Sequence, residues 1–252
     1  MEFDEEDILV FDFIKFWFNF KPYEYQRRFL SACLHQNRVV GKWCRQSGKS
    51  QTVAWYSLFR ATTGKVTILI FAPAQRQSKE LFEKIRSIAL DNPYLNSSIE
   101  KSTETELVIN GSRIISLPVG HSGINVKGYT ADIIILEECQ GIKDMIVNTV
   151  ILPMIASKKD AGQVIKIGTP ETRNHFYNSC FIDKDYTVIN VTWRDAVKAG
   201  QYTQKFIDEQ REKLLDIEFR TEYEVEFIDD EASFFTPSLL QSCMEEYPLI
   251  TI

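Results

Sequence analysis

The sequence predicts an α/β protein with a mostly parallel central sheet flanked by helices. Short apolar runs of buried-strand type recur along the chain, segments with helical periodicity separate them, and each run ends in a turn carrying glycine or polar residues. Parallel strands that are covered on both faces have this continuous apolar character, so the alternation indicates βαβ units. The runs lie at residues 39–43, 65–73, 133–136 and 162–170.

Composition limits the class of protein. The chain has 252 residues, enough for one large or two modest domains, and its 44% hydrophobic and 25% charged content is typical of globular proteins. The formal net charge is −6, so any contact with nucleic acid would need a local basic patch or a partner subunit.

The five cysteines indicate an intracellular setting. They are odd in number and contain no C-x-x-C pair, which favours reduced thiols over disulfides or a zinc site. The acidic N-terminus does not fit a signal peptide, and no uncharged apolar stretch reaches the roughly 18 residues of a membrane span.

The N-terminal third contains two segments that we expect to be ordered. Residues 8–20 are strongly aromatic and are expected to pack on the body of the domain. Residues 21–34 have the apolar spacing of an amphipathic helix that begins near Pro22. This helix carries Tyr23 and Gln26, and a Gln amide together with an aromatic ring could read and stack on adenine.

A phosphate loop is predicted after the first strand, at Arg45-Gln46-Ser47-Gly48-Lys49-Ser50. In a strand, glycine turn and helix of this kind, backbone N–H groups and the helix dipole bind phosphate, a lysine reaches the β and γ phosphates, and a hydroxyl ligates Mg²⁺. Lys49 and Ser50 occupy those two positions. Trp43 stands where the usual pattern has its first glycine, so the tripeptide alone also fits an ordinary loop capped by Ser50.

Two adjacent carboxylates, Glu137 and Glu138, follow the apolar run at 133–136. At the carboxyl end of a buried strand in an α/β nucleotide site, the first acid holds Mg²⁺ and the second polarises the attacking water. The first acid is usually Asp, and Glu137 is one methylene longer, which favours a contact through water. Thr169 ends a later strand, and its hydroxyl could bind the γ-phosphate, bind Glu138, or only cap the turn.

The remaining elements follow from periodicity and turn residues. We predict, in chain order, helix 51–59, helix 74–86, a hairpin at 105–118 around Asn110-Gly111, helix 145–156 broken at Pro153, strand 186–192, helix 203–215, strand 223–227 and a linker at 229–233.

The ordered set of motifs resembles the ATPase domain of the terminase large subunit, the motor that packages double-stranded DNA into viral capsids. Members similarly carry a phosphate loop of the form R-x-x-G-K-[ST], an upstream Gln, an N-G-S-x-I hairpin, a G-x-T-x-D lead into paired acids, and a T-P coupling turn. The resemblance covers about residues 20–235. It rests on Gln26, residues 45–50, 110–114, 128–138 and 168–170, and on the late segment 222–227.

The resemblance implies a P-loop NTPase fold of the additional-strand, RecA-like class. It implies an ATPase core at residues 1–180 and a lid with a linker at 181–252, leading to a nuclease domain. The sequence ends at Ile252, so we expect that domain and its activity to be absent from this chain.

Site roles carried over from the resemblance concern ATP and Mg²⁺. Tyr23, Gln26 and the loop residues Arg45, Gln46, Ser47, Gly48, Lys49 and Ser50 would bind ATP. Ser50 and Glu137 would hold the metal. Glu138 would be the catalytic base, Arg45 would be a catalytic residue facing the γ-phosphate, and Thr169, at the T-P coupling turn, would be a further catalytic residue. A neighbouring subunit would supply an arginine, for which Arg113 is the first candidate and Arg76 and Arg86 are further ones.

The implied partners are double-stranded DNA, the portal protein and the small terminase subunit, with a homo-oligomeric ring forming on the capsid. The implied location is the cytoplasm of an infected host cell, without membrane association or secretion. Two alternatives remain open from the residues: a superfamily 2 helicase-like translocase, and a nucleotide-binding assembly module with little turnover.

Overall fold

The computed structural model describes residues 3–120, 126 and 128–228, without the side chains of residues 75 and 76. The arginine candidate Arg76 and the predicted linker at 229–233 therefore lie outside the described residues. Eight strands occur in this part of the chain: β1 (Arg38–Trp43), β2 (Thr67–Ala72), β3 (Ile99–Ser102), β4 (Glu106–Ile109), β5 (Ser112–Pro118), β6 (Ile133–Glu137), β7 (Gln163–Gly168) and β8 (Thr187–Val191).

All eight strands form one sheet in the order β3-β4-β5-β2-β6-β7-β1-β8. The six strands from β5 to β8 in this order pair in parallel, and β3 and β4 add an antiparallel edge. The predicted mostly parallel sheet is thus confirmed. The predicted hairpin is the β4–β5 pair, turning at Asn110 and Gly111, which both have positive φ. β3 was not predicted.

Helices cover both faces of the sheet. They are α1 (Glu5–Phe18), α2 (Glu24–His35), α3 (Lys49–Thr63), α4 (Gln75–Asp91), α5 (Pro93–Ser97), α6 (Asp144–Ile146), α7 (His175–Phe181), α8 (Trp193–Lys198), α9 (Gln204–Lys213) and α10 (Asp216–Glu222). α6 continues as a wide π turn at Val147–Ile151 and a 3-10 segment at Leu152–Ala161. The helix predicted at 145–156 is therefore continuous through Pro153 but irregular.

Alternate residues of each central strand point to opposite sides. Ile68 and Ile70 pack with α1 to α4 in one core, while Leu69 and Phe71 pack with α7 and the irregular helix after α6 in the other. The aromatic N-terminal segment is α1, and its buried residues, including Phe13, join the first core as predicted. Each face of the sheet is therefore closed by helices, as a parallel sheet requires.

A third, smaller core lies beyond β8. It contains Tyr202, Ile207, Phe219 and Val225 from the segments around α9 and α10. β8 itself pairs with β1 in the central sheet. The predicted boundary at residue 180 therefore does not coincide with the edge of the sheet, because the strand at 187–191 belongs to the core.

The strand predicted at residues 223–227 is wrong. Tyr223 and Val225 are buried in alternation, which is the pattern that suggested a strand. However, the amide of residue 224 donates to the carbonyl of Phe219, and Val225 has a φ of 56°. The amides of residues 223, 224 and 226 thus donate to carbonyls of the preceding helix instead of a neighbouring strand. Among the described residues, no helix combines the length and apolar character needed to cross a membrane.

Candidate functional site

The candidate site lies at one edge of the sheet, where the adjacent strands β6, β7 and β1 end. Because these strands are parallel, the turns that follow them emerge side by side. The turn after β1 is the glycine loop at residues 44–48, which leads into α3. The turns after β6 and β7 begin with Glu138 and Thr169, so residues more than eighty positions apart in sequence meet at this edge.

The loop between β1 and α3 has the backbone of a tight anion-binding turn. Gln46 and Gly48 both have positive φ, at 53° and 87°, and Gly48 is the N-cap of α3. Ser47 is buried, and its hydroxyl donates to the carbonyl of Cys44 at 2.7 Å. The hydroxyl of Tyr25 donates to the carbonyl of Ser47 at 3.0 Å, so α2 holds the loop in place.

Lys49 lies at the centre of the site with a side chain that is only 8% exposed. Its ammonium donates to the Thr169 hydroxyl at 2.7 Å and lies 3.8 Å from Oε1 of Glu138. The Thr169 hydroxyl in turn donates to the carbonyl of Trp43 at 3.1 Å. Lys49 therefore connects the loop after β1 to the turns after both β6 and β7.

Ser50 and Glu137 form the second contact between the loop and β6. The Ser50 hydroxyl donates to Oε1 of Glu137 at 2.6 Å. Oε2 of Glu137 is buried without a hydrogen-bond partner among the described residues. Burial, followed by the charge of Glu138, raises the pKa of Glu137 to about 7, while the Ser50 hydrogen bond and Lys49 act in the opposite direction. An unpaired buried carboxylate oxygen beside a hydroxyl suits a hard cation that prefers oxygen ligands, such as Mg²⁺.

Glu138 begins a tight turn directly after β6. Its backbone is left-handed, with φ 47° and ψ 46°, and residues 139–141 form a single 3-10 turn. Oε2 of Glu138 accepts a hydrogen bond from the Gln140 amide at 2.8 Å. The carbonyl of Gln140 accepts from the Asn174 amide at 2.7 Å, so α7 supports the turn that carries Glu138.

Tyr23 and Gln26 lie on the other side of the glycine loop. Gln26 is 2% exposed, and its Oε1 accepts from the backbone amide of Tyr23 at 2.9 Å. Its Nε2 is so close to Gly48 that a Cβ added there would lie 2.9 Å away. A cavity of about 380 Å³ adjoins these residues, lined also by Trp55 and Gln201. The cavity therefore lies beside the glycine loop, with the Gln26 amide and the Tyr23 ring in its wall.

Trp43, at the position of the missing glycine, is the last residue of β1 and is fully buried. Its ring packs edge-on against Tyr25 and Phe29 of α2, with centroids 5.3 Å apart in both pairs. Since the side chain points into the core and not into the loop, the bulky residue leaves the turn at 45–48 unobstructed.

Two predicted arginines lie at different places. Arg45 is in the loop but 65% exposed, and its guanidinium is 3.4 Å from Glu222 of α10, so in this structure it faces the third core. Arg113 is at the amino end of β5, on the opposite edge of the sheet, and its Nε and Nη2 donate to Glu106 at 2.8 and 2.6 Å. Arg113 therefore cannot reach this chain's own site, and a role toward a neighbouring chain stays a prediction.

Sequence reasoning missed the residues that support the turn after β6. Gln140, Asn174 and His175 contact this turn, and His175 Nε2 lies 2.9 Å and 3.0 Å from the carbonyl oxygens of Cys139 and Ile142. The available signal was weak: Asn174 is a typical N-cap residue before a helical segment, and it does cap α7.

Comparison with known proteins identifies the family and the fold. A family model described as terminase large subunit, T4likevirus-type, N-terminal, matches residues 43–242. No curated protein sequence matches the chain. Among solved structures, the large terminase ATPase domain of Thermus phage P74-26 is 19% identical with a TM-score of 0.71, covering 89% of this chain and 98% of that domain.

Two further structures share the fold. The large terminase of bacteriophage HK97 is 15% identical with a TM-score of 0.72, covering 98% of this chain and 60% of that protein. The large terminase of the thermophilic bacteriophage D6E, in complex with ATP-gamma-S, is 9% identical with a TM-score of 0.63, covering 82% of this chain and 53% of that protein. Since the family model matches well over half of the sequence, the chain belongs to the terminase large subunits of the T4-like type and corresponds to their N-terminal part.

Proposed function

We propose that this chain binds ATP and Mg²⁺ and hydrolyses ATP to drive packaging of double-stranded viral DNA into a procapsid. The observation that carries the proposal is the convergence of Lys49, Ser50, Glu137 and Glu138 at one sheet edge, with Lys49 Nζ 3.8 Å from Glu138 Oε1 and Ser50 Oγ 2.6 Å from Glu137 Oε1. A lysine at the start of a helix, a hydroxyl and two carboxylates in this arrangement are the groups that phosphoryl transfer requires.

The roles of the residues follow from their positions. Backbone amides of residues 46–48 and the Lys49 ammonium bind the phosphates, and Ser50 with Glu137 would hold Mg²⁺, which would supply charge neutralisation. Glu138 orients the attacking water and takes its proton. Thr169, which now accepts from Lys49, exchanges this contact for one with the γ-phosphate side of the nucleotide. Catalysis in such a site is positioning together with electrostatic stabilisation.

The base of the nucleotide lies in the cavity beside Gly48. Gln26 keeps one lone pair of Oε1 and its Nε2 protons for the edge of adenine, and Tyr23 supplies a neighbouring aromatic ring. When ATP is bound, Arg45 turns from Glu222 toward the γ-phosphate of the ATP in the same chain. That rearrangement exchanges an exposed ion pair, which contributes little stability, for a contact with a multiply charged anion.

A direct test compares Lys49→Ala and Glu138→Gln with the unchanged protein. We expect each variant to reduce the ATP hydrolysis rate at least about 100-fold, because each removes a group that contacts the reacting phosphate or the attacking water. Steady-state phosphate release measures the effect. The matched controls are Lys79→Ala and Glu104→Gln, which disrupt an exposed lysine–glutamate pair at 3.0 Å between α4 and the turn before β4 and should leave the rate unchanged. Parental rates in Lys49→Ala or Glu138→Gln would overturn the assignment.

The same preparation separates the alternatives. Tight ATP binding without turnover at any protein concentration would favour a nucleotide-binding assembly module. ATP-dependent separation of DNA strands would favour a helicase-like translocase. Packaging further implies double-stranded DNA, the portal protein and the small terminase subunit as partners, a ring of chains on the capsid, and action in the cytoplasm of the infected host cell.

A further inference from the structure

The carboxylate of Glu138 has two different surroundings for its two oxygens. Oε2 accepts a hydrogen bond from Nε2 of Gln140 at 2.8 Å, whereas Oε1 faces the Lys49 ammonium at 3.8 Å, beyond hydrogen-bond distance. The Glu138 side chain is 30% exposed on this side. One oxygen is therefore bound by the protein, and the other is open toward the place where the nucleotide would lie.

The Glu138 backbone does not by itself fix the direction of this carboxylate. The residue is left-handed, and its carbonyl accepts only the return bond from the amide of Gly141 at 3.1 Å. A glutamate side chain has three rotatable bonds, and holding it in one geometry costs rotamer entropy. A second contact on the side chain is needed to keep it in a single orientation, and Gln140 supplies that contact.

Gln140 is itself held on three sides. Its carbonyl accepts from Asn174 Nδ2 at 2.7 Å. Its side-chain Oε1 packs so closely on Gly168, at the end of β7, that a Cβ there would lie 2.2 Å away. On its third side is Glu171, whose pKa is raised mainly by burial and by Glu138, while a hydrogen bond from Gln140 opposes that rise. The Gln140 amide thus lies between the carboxylates of Glu138 and Glu171.

We infer that Gln140 is a positioning residue for ATP hydrolysis, which binds Oε2 of Glu138 so that Oε1 receives the proton of the attacking water. This inference rests on the proposed function. In the step concerned, the water oxygen bonds to the γ-phosphorus, the bond from that phosphorus to the bridging oxygen of ADP breaks, and the water proton moves to Oε1. In this role Gln140 acts through its hydrogen bond to Glu138.

The first experiment removes the amide donor while keeping the side-chain length. Gln140→Met should lower the turnover number about 10–100-fold, because an unrestrained carboxylate spends most of its time out of line with the water. The dissociation constant for ATP should stay within about threefold, since Gln140 does not contact the nucleotide. Gln204→Met is the matched control: Gln204 makes the same amide-to-carboxylate bond, to Asp208 at 2.8 Å, on the exposed surface of α9. Its turnover should equal the parental value.

A double-mutant cycle distinguishes positioning from a general structural role. In a Glu138→Gln background the carboxylate is already absent, so adding Gln140→Met should reduce the residual rate less than about twofold. A structural defect would reduce the rate by the same factor in both backgrounds. Gln140→Glu provides a second variant that retains the length but places an acceptor opposite Oε2, and its rate should fall at least as far as that of Gln140→Met.

The outcomes distinguish a failure of the role of Gln140 from a failure of the proposed ATPase function. A parental protein that hydrolyses ATP, together with full turnover in Gln140→Met or equal losses in both backgrounds, overturns the role of Gln140 alone. Absence of hydrolysis in both the parental protein and Gln204→Met overturns the proposed function and the inference with it. We expect the turnover number to fall in Gln140→Met and to stay at the parental value in Gln204→Met. Adding Gln140→Met to Glu138→Gln should reduce the residual rate less than about twofold.

Discussion

His175 is a buried residue on which the position of Glu138 depends. Its Nε2 contacts two carbonyl oxygens of the turn after β6, while Nδ1 is buried without a partner among the described residues. This arrangement requires the tautomer with the proton on Nε2. Adding a second proton would place it on Nδ1, which has no acceptor among the described residues, and burial together with Lys166 lowers the pKa of His175 to about 4.

This gives a pH prediction at the level of one residue. The pKa of His175 is lower in the folded protein than the value of about 6.5 in the unfolded chain, so the unfolded chain takes up the proton first as the pH falls. The stabilising contribution is complete above about pH 6.5 and is lost toward pH 4. Between pH 7 and 4.5 the free energy of unfolding should fall about 2–3 kcal/mol more in the parental protein than in His175→Gln.

Urea unfolding at the two pH values measures this difference directly. The comparison concerns the change with pH in each protein, so a lower overall stability of His175→Gln does not affect it. Equal changes in both proteins would show that His175 keeps its ordinary titration in the fold.

Individual site residues were predictable where chemistry follows directly after an apolar run. Glu137 and Glu138 stand out because they end a strand that is otherwise buried, and Lys49 and Ser50 stand out because they follow a glycine turn between a buried strand and a helix. Gln140, Asn174 and His175 did not stand out, since Asn174 and Gln140 meet across 34 positions of the chain and neither residue type is unusual in its own segment. The contacts of Asn174 and His175 with the turn after β6 depend on the path of the chain between β7 and α7. Local sequence patterns do not predict that path.

At the level of elements, the approach of α2 to β1 depends on a residue without a side chain. A Cβ at Gly41, in the middle of β1, would lie 2.9 Å from the ring of Phe29 and 3.1 Å from Ile167. Phe29 also packs on Trp43, so the ring has little room to move. Because α2 carries Tyr25 and Gln26 to the glycine loop, this close approach determines the position of one wall of the site.

Gly41→Ala should therefore destabilise the protein by about 1–3 kcal/mol, the usual effect of inserting an atom into a packed core. Thermal and urea unfolding measure the effect. Gly64→Ala is the matched control, because a Cβ there meets nothing closer than 3.8 Å and φ is −150°, which any residue adopts. The control should change stability by less than about 0.5 kcal/mol. Equal effects at both positions would contradict the packing argument.

Elements with strong periodicity were predicted correctly, including α2, α3, α4, α9, the four buried strands, the hairpin and β8. The failures have physical causes. Residues 223–227 alternate in burial because they cross a small core. Amides of this segment nevertheless donate to carbonyls of α10. The periodicity of a sequence indicates which residues are buried, but not which hydrogen bonds their backbone makes. The short helices α7, α8 and α10 carry too few residues for a reliable period.

At the level of the whole molecule, the carboxyl ends and the amino ends of the parallel strands carry different groups. The candidate site is at the carboxyl ends of the strands, and Arg113 is at the opposite edge, bound to Glu106. An arginine from one chain could complete the site of the next only if this far edge of the neighbour faces the site. The sheet order that places β5 three strands away from β7 was not predictable from the sequence, whereas the fold class was.

A mixing experiment tests the predicted trans role of Arg113. Arg113→Ala and Glu138→Gln proteins should each be nearly inactive, and mixing them at high concentration should restore hydrolysis at least about tenfold, because the Glu138→Gln chain donates its intact arginine to the intact site of the other. Arg86→Ala tests the competing candidate: Arg86 makes a similar ion pair with Glu83 at 2.9 Å, and this variant should retain activity alone if Arg113 is the donor. A mixture no more active than its components would exclude Arg113 as the donor.

The left-handed backbone of Glu138 has a consequence for any attempt to improve this protein. Glycine occupies that conformation freely, whereas a glutamate carries a penalty of about 1 kcal/mol, so the folded chain tolerates strain at the position where it needs a carboxylate. Selection of heat-resistant variants without an assay for turnover would therefore favour glycine at position 138. The most heat-resistant variants selected in this way would keep the fold and lose the carboxylate of Glu138.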